Sequence, residues 1–521
     1  MATLSSGSTI TFGVQGDQTI TLDTSAGTEG TLSWNAPNGV QVQTMGPMPL
    51  SGKVIRMNGV SGAATLVSKT GVITYTVSAS QLPAYVSDAA GSATGLAGPN
   101  GATFPLQSYS LPNLAIVGDS RAAQAFTDTG TGGLHNYQRK PNGFGSWVDF
   151  LTQQRIAVSK DYCKAVSSSL VSEVAGQLAQ VFALSPSPSH VAILTGTNTF
   201  AAGTSAATAW AQLVPNIAAC ISRGIQPIII FDLPRQLSTW TAANARQSFQ
   251  FNQIVRSNAG LYGALVVDPT QYLADSANSN GDPLSNYYYD GIHPATMGGY
   301  YIGKAIADLI SPLLPAPIAG FASNGDTYNA TDNPYGNILQ NGLFTGTAGT
   351  NTSSGGAASG TVASLWNNRT LTGTGTSVAS IVARSDGKPG NWQQLVLTST
   401  GTSTYRFSLI TAPPVNTYYA RGDRLALALD LDVSSATGLE VCTISLSDYD
   451  GGSTIYDATN HFASTLISAT YYPMPTAFAG RVHTDPITTG AGSNGLLVRG
   501  EFQVKDGAAT IKIGGAELRR I

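Results

Sequence analysis

The chain has 521 residues, of which 58 are glycine and only 11% are charged, and its formal net charge is −3 at pH 7. This length predicts several domains, because single cores rarely exceed about 250–300 residues. The sparse charge, without Lys- or Arg-rich runs, argues against nucleic acid as a partner, and no stretch approaches the ~18 apolar residues of a membrane helix. Residues Met1–Ser6 lack the basic and apolar regions of a signal peptide, so we expect no Sec export.

Residues 1–105 are predicted to form a β-rich domain. Short runs there alternate apolar and polar residues between Gly, Asn and Pro, and this period of two is typical of strands. The runs are Thr9–Phe12, Thr19–Leu22 and Val72–Val77. The stretch Tyr85–Phe104 resembles hairpin segments of phage tail fibre and tailspike proteins, and the resemblance implies attachment to a virion.

Residues 106–318 contain apolar runs of strand length that alternate with helix-like stretches. The apolar runs are Leu114–Val117, Val191–Leu194, Pro227–Phe231 and Ala264–Val267. The helix-like stretches are Ser169–Phe182, Ala206–Arg223, Ala242–Asn258 and Thr296–Ile310. Near-continuous apolar strands separated by helices predict a parallel sheet covered on both faces, which is a three-layer α/β/α domain.

After a linker at residues 319–335, the strand pattern returns over residues 336–521. The segments Asn337–Phe344 and Gly507–Ile521 resemble the first and last strands of jelly-roll carbohydrate-binding modules, which implies a glycan-binding β-sandwich. Aromatic residues of this region either stack on sugar rings or fill the sandwich; they are Trp366, Trp392, Tyr418, Tyr419, Tyr471 and Tyr472.

The tripeptide Gly118-Asp119-Ser120 directly follows the first apolar run of the α/β region. Ligands of open α/β sheets bind at the carboxyl ends of the strands, and Ser120 lies at that edge. So short a motif also arises by chance, and Asp119 or Ser120 is suited to cap a helix that begins near Arg121. The tripeptide by itself therefore does not identify a site.

Two further motifs supply groups that complement a serine hydroxyl. Asn198 follows the second apolar run, where its amide can donate a hydrogen bond into the crevice. Asp290 lies three residues before His293, just ahead of a helix that begins near Pro294. This spacing lets the carboxylate accept a hydrogen bond from Nδ1 of His293, which leaves Nε2 free to act as a base.

Together these motifs resemble the SGNH hydrolase family, also called GDSL esterases, over residues 106–318. The resemblance implies a flavodoxin-like sheet of about five parallel strands. It also implies that Ser120 is the nucleophile, that His293 is the base and that Asp290 orients it. The backbone N–H of Ser120 and the amide of Asn198 would belong to the oxyanion hole.

The chain departs from the family pattern at the third oxyanion donor, which is usually a glycine N–H. The corresponding stretch offers Ser168, with Ser167 or Ser169 one register away. A backbone N–H survives this change, but the freedom of glycine at positive φ does not. Arg121 also replaces a common leucine, and Thr199 replaces a frequent aspartate; neither is expected to take part in the chemistry.

Other candidate residues have less to support them. No His, Cys, Asp or Glu cluster has the spacing of metal ligands, so we expect no metal and no cofactor. We interpret His461, four residues after Asp457, as structural, and Asp448–Asp450 as a turn, with a calcium site as the alternative. The tyrosines of Tyr287–Tyr289 either line the crevice or pack its loop.

These observations predict a serine esterase that removes acyl groups, most simply O-acetyl groups, from a bacterial surface polysaccharide such as O-antigen or capsule. As a phage tailspike, the chain would form a homotrimer and bind virion tail proteins. It would be made in the host cytoplasm and would act outside the cell as part of the virion tail. Two alternatives stay open: a bacterial carbohydrate esterase with an appended binding module, and an adhesive virion protein whose α/β domain binds sugar without turnover.

Overall fold

The computed structural model describes residues 2–24, 28–36, 39–45, 50–70, 72–79, 112–128, 136–278, 281–315, 323–329, 331–411, 418–450, 453–463 and 472–521. The stretch Tyr85–Phe104, predicted to form hairpins, lies outside these residues. Within them, no helix combines the length and the apolar character needed to cross a membrane.

The N-terminal region forms a six-stranded antiparallel sheet of order β1-β6-β2-β5-β3-β4. Its strands are β1 (Ala2–Leu4), β2 (Thr9–Thr24), β3 (Glu29–Ala36), β4 (Gly39–Met45), β5 (Leu50–Thr70) and β6 (Ile73–Ala79). The runs Thr9–Phe12 and Thr19–Leu22 fall within β2, and the run Val72–Val77 begins one residue before β6.

The α/β region has a parallel sheet of order β12-β11-β10-β7. Its strands are β7 (Leu114–Gly118), β10 (His190–Leu194), β11 (Gln226–Ile230) and β12 (Leu265–Val267). The α-helices of the region are α1 (Ser120–Ala123), α2 (Phe144–Leu151), α3 (Val174–Phe182), α4 (Thr197–Ala201), α5 (Ala206–Ser222), α6 (Ala242–Asn258), α7 (Thr270–Leu273) and α8 (Thr296–Ile310). Short 3₁₀ helices lie at Lys160–Tyr162, Val171–Glu173, Leu237–Thr239, Ala259–Tyr262 and Ser311–Leu313.

The sheet has four regular strands where about five were expected. At the outer side of β7, Ile116 forms an isolated parallel bridge with Cys163, and the Val166 N–H donates to the Gly118 carbonyl at 3.0 Å. This segment occupies the place of the fifth strand without a continuous ladder. The predicted helix Ser169–Phe182 is likewise shorter, since its first turn is 3₁₀ and α3 begins only at Val174.

Successive residues of each parallel strand face opposite layers of the domain. In β7, Ala115 and Val117 pack against α3, α5 and α6, whereas Leu114 and Ile116 pack against α2 and α8. All five residues of β7 are buried. The apolar runs of the sequence lack alternation because both faces of this sheet are covered.

The C-terminal region and a hairpin from the α/β region share one sheet of twelve strands. The hairpin strands are β8 (Phe126–Asp128) and β9 (Asn136–Arg139). The others are β13 (Thr350–Ser353), β14 (Ala357–Gly360), β15 (Asn367–Thr372), β16 (Thr376–Ala383), β17 (Asn391–Thr411), β18 (Arg424–Asp450), β19 (Ser453–Ala463), β20 (Phe478–His483), β21 (Ile487–Thr488) and β22 (Gly495–Arg520). The main path is β13-β15-β17-β22-β18-β19-β9-β8; the jelly-roll topology stays a prediction.

The α/β region and the C-terminal sheet also share a hydrophobic core, which the sequence did not indicate. The ring of Trp147 in α2 lies 5.5 Å from each of Phe462 and Phe478, which belong to β19 and β20. Beneath these rings, the buried guanidinium of Arg139 pairs with Asp149 at 2.5 Å and with Asp485 at 3.1 Å. The two regions therefore pack as one unit.

The described part of the predicted linker 319–335 is hydrogen-bonded to the last strand. Arg519 in β22 pairs with Asp326 at 2.7 Å and donates to the carbonyl of Tyr335 at 2.7 Å. Just after it, the buried amide of Asn337 accepts from the Leu518 N–H at 2.9 Å. These contacts make this part of the chain a strap along the sheet.

Gly480 tests the shared core, because an added Cβ would lie 2.3 Å from the carbonyl oxygen of Phe150. Gly480→Ala is expected to lower the free energy of unfolding by about 1–3 kcal/mol, the usual cost of overpacking, measured by urea denaturation. Gly401→Ala is the matched control, since a Cβ there meets no atom within 4 Å. Equal effects of the two substitutions would contradict the shared core.

Candidate active site

Ser120 lies at a sharp turn between β7 and α1. Gly118, the last residue of β7, has φ +135°, and a Cβ there would lie 1.8 Å from the carbonyl oxygen of Leu194. Only glycine fits so close an approach of two backbones. Asp119 caps α1 by accepting the Arg121 N–H at 3.0 Å, and Ser120 is the first helical residue. Within the tripeptide, Asp119 therefore caps the helix, and Ser120 is the candidate nucleophile.

The structure brings together Ser120, His293 and Asp290. The Oγ of Ser120 lies 2.8 Å from Nε2 of His293, although 173 positions separate the two residues. On the other side of the ring, Nδ1 of His293 lies 2.6 Å from Oδ2 of Asp290. This geometry places a hydroxyl, an imidazole and a carboxylate in one line of hydrogen bonds, as nucleophilic catalysis requires.

Asp290 is fixed by backbone groups of its own loop. Its Oδ1 accepts the N–H of Ile292 at 2.9 Å and that of His293 at 2.7 Å. Partial burial favours the protonated acid, but the hydrogen bonds from His293 and Ile292 outweigh it and lower the pKa of Asp290 below its ordinary value. Asp290 is thus held as a carboxylate that orients the His293 ring.

The turn at Ser168 and the side chain of Asn198 lie beside each other. Ser168 has φ +67°, the left-handed conformation that favours glycine. Asn198 donates from Nδ2 to the carbonyl of the next residue, Ser169, at 3.2 Å. Within the described residues, the N–H of Ser120 and that of Ser168 have no hydrogen-bond partner, so both are available to an anionic oxygen.

Gln177 joins this turn to the end of β7, and sequence reasoning missed it. Its side chain accepts the Gly118 N–H at 2.6 Å and donates both to the Gly118 carbonyl at 3.0 Å and to Oγ of Ser169 at 2.9 Å. A signal was present in the sequence. Gln177 lies on the apolar face of α3, between Val174 and Leu178, where a polar residue needs a buried partner.

Arg121 has a structural role under the nucleophile that sequence reasoning did not assign. Its buried guanidinium pairs with Asp119 at 2.6 Å and with Asp232, just beyond β11, at 2.8 Å. Burial lowers the pKa of Arg121, but the two carboxylates more than compensate and keep it charged. Burial raises the pKa of Asp232, against the effects of Arg121 and of Ser248. The ion pairs tie the nucleophile turn to the end of β11, two positions away from β7 in the sheet.

The ring of Tyr289 lies beside the imidazole of His293, and Tyr472 contacts the backbone of Tyr289. The Tyr289 ring stacks on that of His293 at 5.6 Å, and its hydroxyl accepts from Gln124 at 2.9 Å. Tyr472, from the C-terminal region, donates its hydroxyl to the Tyr289 carbonyl at 3.3 Å. The other two tyrosines do not share this role, because Tyr288 is buried and Tyr287 stacks on Tyr301.

Several sequence candidates lie away from this site. Trp366, Trp392 and Tyr419 are buried in the C-terminal region, so they fill the core and present no ring to a sugar; Tyr471 lies outside the described residues. Burial lowers the pKa of His461 to about 4, and neither of its nitrogens has a partner in the described part of the chain. Among those residues, no group of three His, Cys, Asp or Glu side chains is placed to hold a metal ion.

Comparison with known families supports the motif analysis. The model of the GDSL-like Lipase/Acylhydrolase family matches residues 116–298, which include Ser120, Asn198, Asp290 and His293. No curated protein sequence shows significant similarity to the chain.

The solved structures that resemble this chain do so with low sequence identity and low TM-scores. A lipolytic protein of the G-D-S-L family from Desulfitobacterium hafniense DCB-2 has 18% identity, covers 38% of this chain and 98% of its own, and has a TM-score of 0.30. A GDSL-like lipase from Bacteroides thetaiotaomicron VPI-5482 has 16% identity, coverages of 39% and 89%, and a TM-score of 0.29. The enzymatically active domain of tailspike protein 4 of bacteriophage CBA120 has 14% identity, coverages of 30% and 20%, and a TM-score of 0.22. Because these TM-scores are below 0.5, we base no conclusion on them.

Arg121→Leu, the residue common in the family, is expected to destabilise this chain, since Asp119 and Asp232 would remain buried without a cation. Breaking a buried pair in this way costs about 3–5 kcal/mol, measured as the change in free energy of unfolding. Arg121→Leu combined with Asp232→Asn should recover part of the loss. If Arg121→Leu is as stable as the parent chain, the ion pairs have no structural role.

Ser168→Val is expected to lower the free energy of unfolding by about 1–2 kcal/mol relative to Ser168→Gly. The β-branched side chain is strained at φ +67°, whereas glycine is not. The matched control is Ser167→Val, at an exposed neighbour outside the left-handed region, which should change stability little. Thermal denaturation of all three variants measures the difference, and equal values for Val at both positions would refute it.

Proposed function

We propose that the chain is a serine esterase that removes O-acetyl groups from a bacterial surface polysaccharide. The match of residues 116–298 to the GDSL-like Lipase/Acylhydrolase family supports this proposal. The observation that carries the proposal is the line of hydrogen bonds from Ser120 Oγ through His293 to Asp290, at 2.8 and 2.6 Å. The strained Ser168 turn and the neighbouring Asn198 amide add donors for the anion that forms during acyl transfer.

In the proposed mechanism, Nε2 of His293 takes the Oγ proton of Ser120 while Oγ attacks the ester carbonyl carbon. The carbonyl oxygen becomes an anion, which accepts hydrogen bonds from the N–H of Ser120, the N–H of Ser168 and the Asn198 amide. The bond between the acyl carbon and the sugar oxygen then breaks, and His293 gives the proton to that oxygen, so the sugar leaves as an alcohol and an acetyl-enzyme remains. Water, deprotonated by His293, releases acetate and restores Ser120.

The polysaccharide and the tailspike role rest on two further features. The ring of Tyr289 offers aromatic surface beside the base, of the kind that packs against sugar rings. The likeness of Tyr85–Phe104 to tail fibre hairpins supports a homotrimer that is attached to virion tail proteins and acts outside the host cell. In that setting, the C-terminal sheet would hold the polymer while the α/β region deacetylates it.

The esterase is tested by the hydrolysis of p-nitrophenyl acetate. Ser120→Ala should leave only background activity, and Asn198→Ala should lower kcat about 10²–10³-fold, the typical cost of one oxyanion donor. Ser172→Ala, at an exposed serine in the same region, is the matched control and should match the parent chain. Activity that persists in Ser120→Ala would exclude the proposed nucleophile.

The substrate is tested by incubation of the chain with purified O-antigen or capsule. Release of acetate, absent in Ser120→Ala, is the expected result, and free acetate is measured directly. Fragmentation of the glycan in place of acetate release would refute the deacetylase, because it requires paired carboxylates placed for glycoside cleavage.

A further inference from the structure

A cavity of about 190 Å³ lies beside the proposed catalytic groups, at the carboxyl end of β11. Helix α6 and the loop after β11 form much of its wall, and its lining includes Phe231, Asp232, Arg235, Trp240 and Arg256. The volume is below the ~300–1,000 Å³ of sites for drug-sized ligands, so it suits one sugar unit.

The loop that lines this cavity also contacts the catalytic residues' neighbours. Arg235 donates from Nη1 to Oγ1 of Thr197, the residue before Asn198, at 3.1 Å. The N–H of Gln236 donates to the carbonyl of Gly291, which follows Asp290, at 2.8 Å. One loop thus lies between the cavity and both the Asn198 side and the His293 side of the site.

The polar groups on the floor of the cavity already have hydrogen-bond partners within the protein. Both ends of the Asn252 amide bond the backbone of Asp232, at 2.8 and 2.9 Å. The carboxylate of Asp232 accepts from Ser248 at 2.5 Å and is paired with Arg121. The negative charge of the floor is therefore neutralised within the protein, and no acceptor of the floor depends on a ligand.

The groups of the cavity lining that can still form hydrogen bonds with a ligand are donors. Trp240 Nε1 is buried and has no partner among the described residues. Arg235 uses three N–H groups on Thr197 and Thr239, while a guanidinium carries five. Arg256 adds a second cation, over the Phe231 ring and paired with Asp268. The arrangement matches a ligand that accepts hydrogen bonds, carries negative charge and has an apolar face.

We propose that this cavity is a subsite for a uronic acid residue, a pyranose ring that bears a carboxylate, of the polysaccharide substrate. The carboxylate would pair with Arg235 and accept from Trp240 Nε1, and the ring would pack on the Trp240 side of the lining. This inference rests on the proposed function, and it narrows the substrate to acidic polysaccharides. A free phosphate fits the donors but leaves the aromatic lining without a contact.

The test is equilibrium binding of sodium D-glucuronate to the full-length chain, measured by calorimetry at low salt. Glucuronate should bind at least 10-fold more tightly than D-glucose or inorganic phosphate, since charge-assisted hydrogen bonds carry the affinity. Arg235→Gln and Trp240→Phe should each weaken glucuronate binding about 10-fold. The second variant keeps an aromatic ring but lacks the Nε1 donor, so it remains informative if Arg235→Gln does not fold.

Arg246→Gln is the matched control, because Arg246 is exposed on the same helix α6 and lies outside the cavity lining. It should leave glucuronate binding unchanged. The subsite would be refuted if glucose or phosphate bound as tightly as glucuronate. It would also be refuted if Arg246→Gln weakened glucuronate binding as much as Arg235→Gln does. If the chain binds glucuronate but shows no Ser120-dependent hydrolysis of p-nitrophenyl acetate, the proposed esterase is wrong. If it hydrolyses p-nitrophenyl acetate but does not bind glucuronate, the subsite is wrong.

Discussion

The buried guanidinium of Arg121 is the interaction on which the catalytic end of the sheet depends. It lies between Asp119, which caps the helix that carries Ser120, and Asp232, which follows β11. Two carboxylates that close to each other in a dry interior would repel, and removal of their shared cation would leave both uncompensated. With the cation in place, the nucleophile turn is tied to a strand two positions away in the sheet.

The same network connects the two ends of the proposed substrate site. Asp232 belongs to the floor of the uronic acid cavity, and its partner Arg121 directly follows Ser120 in sequence. Gln177 supplies the corresponding tie on the other side, between Gly118 and the Ser168 turn. Buried polar groups that pair with one another favour one arrangement of the loops, as a preorganised oxyanion hole needs.

The C-terminal region contacts the loop that carries Asp290 and His293. Tyr472 reaches the loop of Asp290 and His293, and the aromatic core around Trp147 joins α2 to β19 and β20. The hairpin β8–β9 extends the C-terminal sheet from within the α/β region. Binding of a polymer by the C-terminal region would therefore act on a surface continuous with the catalytic loop.

The sequence by itself determined the parallel sheet and the identity of Ser120, Asn198, Asp290 and His293, because apolar runs and short motifs are local signals. It also marked Ser168 as the position where glycine was missing, and the structure gives that residue a positive φ. Only the tertiary structure decided the partners of Arg121, the hydrogen bonds of Gln177, the packing of Trp147 on the C-terminal sheet and the contact of Tyr472 with Tyr289. These contacts join residues far apart in the chain, and no periodicity or spacing records which buried polar group or ring will meet another.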